Sequence, residues 1–176
     1  VDLDRYMKEL LRSDRRTSGR LDSRFTGIDR DAAGEGPDGD PSMNAIRPPY
    51  TAAFNQYVRT ELGYKTDTEY YILGGGITSP WNWNVSNGYA DTSIPMKDAM
   101  AKNPYMKIMI ACGYYDMATP FYAAEYTVSA MNLDPSLKKN ITFDYYEAGH
   151  MMYIEKNSLK KLHDDAAGFI ANAVRK

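Results

Sequence analysis

The sequence predicts an α/β fold, and three observations in its second half support this prediction. Residues 105–112 and 141–147 are apolar runs of strand length. A segment with the apolar spacing of an amphipathic helix follows each run. Both faces of the first run are largely apolar, as in a strand of a parallel sheet that helices cover. The resulting order β-α-β-α predicts two parallel strands joined by a helical crossover.

Bulk properties narrow the possible functions. The chain has 176 residues and a mass of 19.9 kDa, which is enough for one ordinary domain with its own core. Its 21 basic and 23 acidic residues nearly balance, so they create no broad positive electrostatic field that would attract nucleic acid or an anionic membrane. No run of 18 apolar residues occurs, so the sequence predicts no membrane span. Cys112 has no cysteine partner and is predicted to be a small buried hydrophobe.

The first half is predicted to be mainly helical, with long connections. Residues 2–12 have the spacing of a short amphipathic helix, and the charged, glycine-rich residues 13–39 are predicted to form a loop. Within this loop, residues 19–27 are more apolar and suit an extended segment that crosses a surface. Asp40 and Pro41 are typical of a helix start.

Prolines and glycines set the remaining boundaries in the first half. We expect Pro48 and Pro49 to interrupt the helix that starts at Asp40, and a second helix to run from Tyr50 until Gly63 stops it. Residues 92–103 are predicted to be a helix. In the second half, helices are predicted after Pro120 and over residues 159–173, with a turn around Pro135.

Two polar side chains follow the predicted parallel strands. Asp116 comes after the first strand, and His150 follows the second after the small pair Ala148 and Gly149. Side chains beyond the carboxyl ends of neighbouring parallel strands meet at one edge of the sheet. An acid that orients a histidine is two-thirds of a nucleophile–His–acid triad. Two alternatives stay open, in which Asp116 only caps loop amides and His150 only packs against its neighbours.

The sequence lacks a recognisable nucleophile and any cofactor motif. No serine lies in Gly-x-Ser-x-Gly, and neither Ser79 nor Ser86 has the paired glycines of a nucleophile elbow. Glu147 and His150 have no further His or Cys nearby, so a zinc site is not predicted. His163 has the acidic neighbours of a solvated helix face. No phosphate loop or dinucleotide fingerprint occurs, so no cofactor is expected.

With these residues in place, the chain resembles the C-terminal part of the serine carboxypeptidase family, and its bacterial branch most of all. The resemblance rests on residues 110–120 and 145–153, with weaker support from residues 19–25 and 81–83. It implies the C-terminal part of an α/β-hydrolase sheet, incomplete without an N-terminal portion. Residues 1–104 would then be a largely helical cap or insertion region, and residues 105–176 the β-α-β-α part of the core.

The resemblance also implies roles for single residues. Asp116 would be the triad acid and His150 the triad base. Met151 would line the substrate pocket for the departing C-terminal residue, and Tyr115 would also contact the substrate. The family's Gly-Glu-Ser-Tyr-Gly-Gly block, which carries the nucleophile, has no counterpart in this sequence. We therefore expect a partner, the N-terminal portion of the same protein, a peptide substrate, and no activity of the isolated chain.

The start of the sequence and the usual location of the family's members give two further expectations. The chain begins at Val1 without an initiator Met, which suggests a processed product or a piece of a longer protein. Family members are typically secreted, vacuolar or periplasmic, so a secreted or periplasmic location is expected. Two alternative functions remain: a non-catalytic domain that binds a peptide or sugar through Trp81 and Trp83, and an esterase of the same fold.

Overall fold

The computed structural model describes residues 2–72, 82 and 90–174, which form a mixed α/β structure. Along the chain the elements are α1 (Leu3–Leu10), β1 (Arg16–Ser18), β2 (Thr26–Ile28), α2 (Pro41–Thr60), α3 (Ser93–Lys102), β3 (Ile108–Gly113), α4 (Phe121–Ala130), α5 (Pro135–Lys138), β4 (Ile141–Tyr146) and α6 (Lys156–Ala173). The strands form two separate two-stranded sheets, one antiparallel and one parallel. No described helix is both long and apolar enough to cross a bilayer.

The parallel pair of β3 and β4 is the frame of the second half. Ile108 is in register with Ile141, and Gly113 with Tyr146, so the prediction of two parallel strands is confirmed. The connection consists of α4 and the single-turn helix α5, where the sequence had predicted only a turn around Pro135. Asp134 starts that turn by accepting a hydrogen bond from the Ser136 amide, and Pro135 needs no donor there.

Two small apolar clusters hold the helices against this sheet. The first is formed by methionine and leucine side chains from α3 and the α4–β4 connection, with the starts of both strands packed against it: Met100, Met131, Leu133, Leu137, Ile108 and Ile141. The second joins Tyr146, Ala148 and Met152 to Leu162 on α6. Cys112 is a free, buried thiol, as predicted. Both clusters lie beside β3 and β4, so apolar burial fixes the strands whose ends carry Asp116 and His150.

The prediction of a loop over residues 13–39 is wrong for part of that range. β1 and β2 pair as an antiparallel hairpin, with Arg16 opposite Ile28. The hairpin is only three residues long on each side, and neither strand alternates apolar and polar residues, so periodicity gave no signal. Residues 19–25 connect the two strands. We call residues 20–24 of this connection the strap, because they cross the ends of β3 and β4.

The predicted interruption of the second helix is also wrong, because α2 continues through Pro48 and Pro49. Each proline removes one backbone donor and leaves the carbonyl four residues earlier, on Asn44 and Ala45, without its helical partner. All four residues are exposed, so water can hydrate those carbonyls. Gly63, with φ of 64°, forms the left-handed turn that follows α2, as predicted.

A buried ion pair organises the connection between β2 and α2. The Lys8 ammonium lies 2.8 Å from the Asp29 carboxylate, and both side chains are essentially inaccessible to solvent. The same ammonium also donates to the carbonyl oxygens of Asp31 and Gly36, so its donors are satisfied. Lys8 on α1 therefore holds the glycine-rich loop that leads into α2.

We predict that Lys8→Ala destabilises the chain by about 3 kcal/mol, because it leaves the Asp29 carboxylate buried and unpaired. The free energy of unfolding, measured by urea denaturation, tests this. The matched control is Lys160→Ala on α6, which removes an exposed pair with Asp164 and should leave the midpoint unchanged. Equal midpoints for the two variants would contradict the structural role of Lys8.

Candidate functional site

Asp116 and His150 meet just beyond the carboxyl ends of β3 and β4. The strand pairing continues past the sheet, since the Tyr114 amide donates to the Tyr146 carbonyl and the Tyr115 amide to the Ala148 carbonyl. These bonds bring the two turns side by side. The His150 Nδ1 atom lies 2.8 Å from Asp116 Oδ2. The structure therefore joins the two residues that the sequence predicted as a triad acid and base.

The Asp116 carboxylate is buried and has a bonded partner on each oxygen. Its Oδ1 accepts hydrogen bonds from the amides of Ala118 and Thr119, at 2.8 and 2.9 Å. Its Oδ2 accepts from the Thr119 hydroxyl at 2.6 Å as well as from His150. Burial pushes the pKa of Asp116 up, but the bonds from Thr119 and His150 outweigh it, and the pKa falls below its ordinary value. Asp116 is thus both a loop cap and the partner of the histidine.

The His150 ring is oriented by the nitrogen that faces Asp116. A protonated Nδ1 can donate to Asp116 Oδ2, and it also lies 3.1 Å from the Thr119 hydroxyl oxygen. In this tautomer Nε2 carries the free lone pair that a general base needs. No other described residue forms a hydrogen bond with Nε2. The side chain is 44% exposed, so Nε2 is open to a substrate or a nucleophile.

The strap binds the backbones of both turns. The His150 amide donates to the Leu21 carbonyl at 2.7 Å. On the other turn, the Ser23 amide donates to the Tyr115 carbonyl at 2.9 Å, and the Met117 amide to the Arg20 carbonyl at 3.0 Å. Three backbone bonds from one short segment therefore fix the position of the His150 turn relative to the Asp116 turn.

Side chains clamp the strap in place. Arg24 forms a two-pronged ion pair with the buried Asp22 carboxylate, with Nη2 2.7 Å from Oδ2 and Nε 3.0 Å from Oδ1. The same guanidinium lies over the Tyr115 ring, 4.4 Å from its centre, and donates to the Glu147 carbonyl. The hydroxyl of Tyr115 donates to the Glu147 carboxylate at 2.8 Å, which raises the pKa of Tyr115. In the structure Tyr115, which was predicted to contact the substrate, contacts Arg24 and Glu147 and so helps to hold the strap.

Two glycines permit the close approach of these segments. A Cβ atom on Gly149 would lie 2.2 Å from the Leu21 carbonyl oxygen and 2.5 Å from the Asp22 Cβ. A Cβ atom on Gly113 would lie 2.2 Å from the Gly149 carbonyl oxygen. These neighbours are mostly backbone atoms, which cannot move aside cheaply. The glycine that precedes His150 thus has a steric reason.

Beside His150 lies an open hollow of about 290 Å³, walled on one side by α2. Met151, predicted to line a substrate pocket, contributes to its wall together with Leu21, Tyr153 and His150 itself. The remaining wall residues of the described chain come from α2 and from Ile72. Met151 and His150 therefore share one cavity, whereas Tyr115 does not line it.

Two parts of the site were not predicted from the sequence. Thr119 donates to Asp116 and contacts His150, and its signal was its place as the residue before Pro120 and three after the acid, where a hydroxyl caps a turn. The backbone bonds of the strap have no sequence signal, since any residue can make them. Trp81 and Trp83 lie outside the described residues, as do Ser79 and Ser86.

Comparison with known proteins gives no further assignment: no family model, curated protein or solved structure matches the chain. Among the described residues, no group of three or more His, Cys, Asp or Glu side chains could hold a metal ion. The geometry around Asp116 and His150 is therefore the main source for a functional conclusion.

We predict that Gly149→Ala destabilises the chain by about 2 kcal/mol, because the added methyl group forces Leu21 away from the His150 turn. Thermal or urea unfolding measures this. The control is Gly168→Ala on α6, where the methyl group meets open space and should be neutral or stabilising. A Gly149→Ala variant as stable as Gly168→Ala would show that the strap does not press on this turn.

The lowered pKa of Asp116 predicts a pH dependence of stability. Because the folded-state pKa lies below the ordinary value of 3.8, ionised Asp116 stabilises the fold above that pH, and the contribution disappears as the pH falls through the folded-state pKa. The free energy of unfolding should therefore fall less steeply below pH 4 in Asp116→Asn than in the wild type. Parallel curves for the two proteins would contradict the lowered pKa.

Proposed function

We propose that this chain supplies the acid and base of a serine carboxypeptidase, with a serine nucleophile on an N-terminal portion of the same protein. The observation that carries the proposal is the 2.8 Å contact of His150 Nδ1 with the buried Asp116, which leaves Nε2 open. This is the geometry that a triad requires of its last two members. Support also comes from the resemblance of residues 110–120 and 145–153 to that family.

The proposed chemistry is acyl transfer at the last peptide bond of a substrate. His150 Nε2 removes the proton from the serine hydroxyl as the oxygen attacks the carbonyl carbon, and the resulting imidazolium donates this proton to the leaving amine. Water then attacks the acyl-enzyme, with His150 again as the base. Asp116 holds Nδ1–H and stabilises the imidazolium without being protonated, which its lowered pKa favours.

The fold and location belong to the same proposal. The parallel order of β3 and β4, with the acid after one strand and the base after the next, is compatible with the end of an α/β-hydrolase sheet. The N-terminal portion would supply the other strands, the serine and the oxyanion hole. A secreted or periplasmic location follows from the family resemblance alone.

Capping of the loop after β3 does not account for the whole Asp116 site. The capping amides of Ala118 and Thr119 bind Oδ1, which leaves Oδ2 for the Thr119 hydroxyl and His150. A cap would function equally well without a histidine on the neighbouring turn. The strap then holds that histidine in place with a backbone bond, although no capping role requires it. We therefore favour a catalytic pair over two unrelated structural residues.

The decisive experiment uses the protein reconstituted from this chain and the serine-bearing N-terminal portion. We expect His150→Ala to lower kcat/KM for an N-blocked dipeptide by about 10⁴-fold, because the base is lost. The control is His163→Ala, an exposed residue of α6 whose side chain hydrogen-bonds to its neighbour Asp164. Its activity should equal that of the wild type.

Two results of this experiment would contradict the proposal. Activity that survives in His150→Ala would remove His150 from the mechanism. Hydrolysis of a simple ester together with no hydrolysis of the blocked dipeptide would indicate an esterase of the same fold. The isolated chain is expected to hydrolyse neither substrate, since it would lack the nucleophile and the oxyanion hole.

A further inference from the structure

The hydroxyl group of Thr119 lies between the two members of the catalytic pair. Its Oγ1 atom is 2.6 Å from Asp116 Oδ2 and 3.1 Å from His150 Nδ1, while Oδ2 and Nδ1 are 2.8 Å apart. These three atoms form a triangle in which every side has the length of a hydrogen bond. Thr119 therefore contacts both the acid and the base through a single atom.

A threonine hydroxyl has one hydrogen, and the geometry directs this hydrogen to Asp116. A carboxyl group with a lowered pKa is an ionised acceptor, and 2.6 Å is the length of a bond from a hydroxyl to a charged oxygen. The Thr119 oxygen then turns its lone pairs towards His150 Nδ1. Because Nδ1 faces two acceptors, Oγ1 and Oδ2, it must carry the hydrogen of the neutral ring.

The backbone around Thr119 holds the hydroxyl in this position. The Thr119 amide donates to Asp116 Oδ1 and its hydroxyl to Oδ2, so one residue binds both oxygens of the carboxylate. Pro120 restricts the backbone of the residue before it, and a β-branched side chain has few rotamers. The carboxylate cannot rotate away from His150 without breaking these bonds.

We propose that Thr119 is a positioning residue: its hydroxyl orients the Asp116 carboxylate and is a second acceptor for the Nδ1 hydrogen of His150, which keeps the lone pair on Nε2. The inference rests on the proposed function, because a general base requires this tautomer. Thr119 acts through Asp116 and His150 and does not contact the reacting atoms. A hydroxyl that only capped the turn would affect stability and leave the imidazole unchanged.

NMR of the imidazole nitrogens tests the inference without any catalysis. The chain has two histidines, so the His150 signals can be compared with those of His163 in the same sample. Under alkaline conditions, where both rings are neutral, we expect the His150 hydrogen on Nδ1. Thr119→Val keeps the shape of the side chain and removes the hydroxyl. We expect the Nδ1 hydrogen of this variant to exchange with water about fivefold faster, because one of its two acceptors is lost.

Two further variants separate the hydroxyl from general effects of substitution. Thr119→Ser restores the hydroxyl and should return the exchange rate to within about twofold of the wild type. The matched control is Thr127→Val, which removes an exposed hydroxyl that donates to the Ala123 carbonyl on α4 and should leave the His150 signals unchanged. Equal exchange rates in Thr119→Val and the wild type overturn the inference, as does a wild-type ring with its hydrogen on Nε2.

The wild type offers a second measurement that does not depend on the folding of any variant. A Thr119 hydroxyl hydrogen that is bonded to Asp116 should exchange slowly with water and show a nuclear Overhauser effect to the Nδ1 hydrogen of His150. A hydroxyl signal that is lost to rapid exchange with water would contradict the proposed role.

Kinetics of the reconstituted protein distinguish this inference from the proposed function. We expect Thr119→Val to lower kcat for the blocked dipeptide about tenfold with KM unchanged, and Thr119→Ser to retain most of the activity. If His150→Ala abolishes hydrolysis but Thr119→Val has wild-type kcat and exchange, the inference fails and the proposed function stands. If the exchange rates change as expected but no hydrolysis depends on His150, the proposed function fails and the role of Thr119 in fixing the tautomer stands.

Discussion

The hydrogen bond from the His150 amide to the Leu21 carbonyl is the contact on which the candidate site depends. Asp116 and His150 lie on separate turns, and parallel strands alone bring such turns near each other without setting their distance. The strap supplies the missing restraint because it bonds to both turns through backbone atoms. Its position requires Gly149, since any side chain there would meet the Leu21 carbonyl. A catalytic geometry tolerates little error, so a rigid backbone contact suits it better than a flexible side chain.

The same region shows how a buried carboxylate can be kept ionised at low cost. Asp116 receives two amide hydrogens, one hydroxyl and the imidazole, so both of its oxygens are satisfied. No buried side-chain nitrogen or oxygen lacks a partner in the part of the chain that the structure describes. Asp22 and Asp29 follow the same rule, with Arg24 and Lys8 as their partners. Each of these buried acids is thus paired, and two of the three pairs, Lys8 with Asp29 and His150 with Asp116, connect segments that are distant in sequence.

Periodicity and strand-end chemistry predicted the parts of the fold that rest on apolar burial. Long apolar runs and the geometry of parallel sheets define the parallel pair, α6 and the meeting of Asp116 with His150, so the sequence predicted all three. The sequence did not predict the hairpin of β1 and β2, since its three-residue strands carry no pattern. The sequence analysis did not predict the continuity of α2, because proline usually interrupts the interior of a helix. Pro48 and Pro49 are exposed, so water can hydrate the carbonyls that lose their helical partners. The sequence predicted that residues 19–27 cross a surface, but it did not predict the bonds of the strap to the two turns, because backbone atoms make these bonds and every residue has them.

The sequence separation of the contacts has a consequence for how the site comes into being. Lys8 and its partners lie within 28 residues of one another, so these contacts can form while the chain is still being synthesised. The bond between Arg24 and Glu147 spans 123 residues, and the strap cannot dock before β4 and the His150 turn leave the ribosome. Asp116 and His150 would therefore reach hydrogen-bond distance late in folding. A piece of this chain that ends before the His150 turn would thus hold neither the docked strap nor the pair of Asp116 and His150.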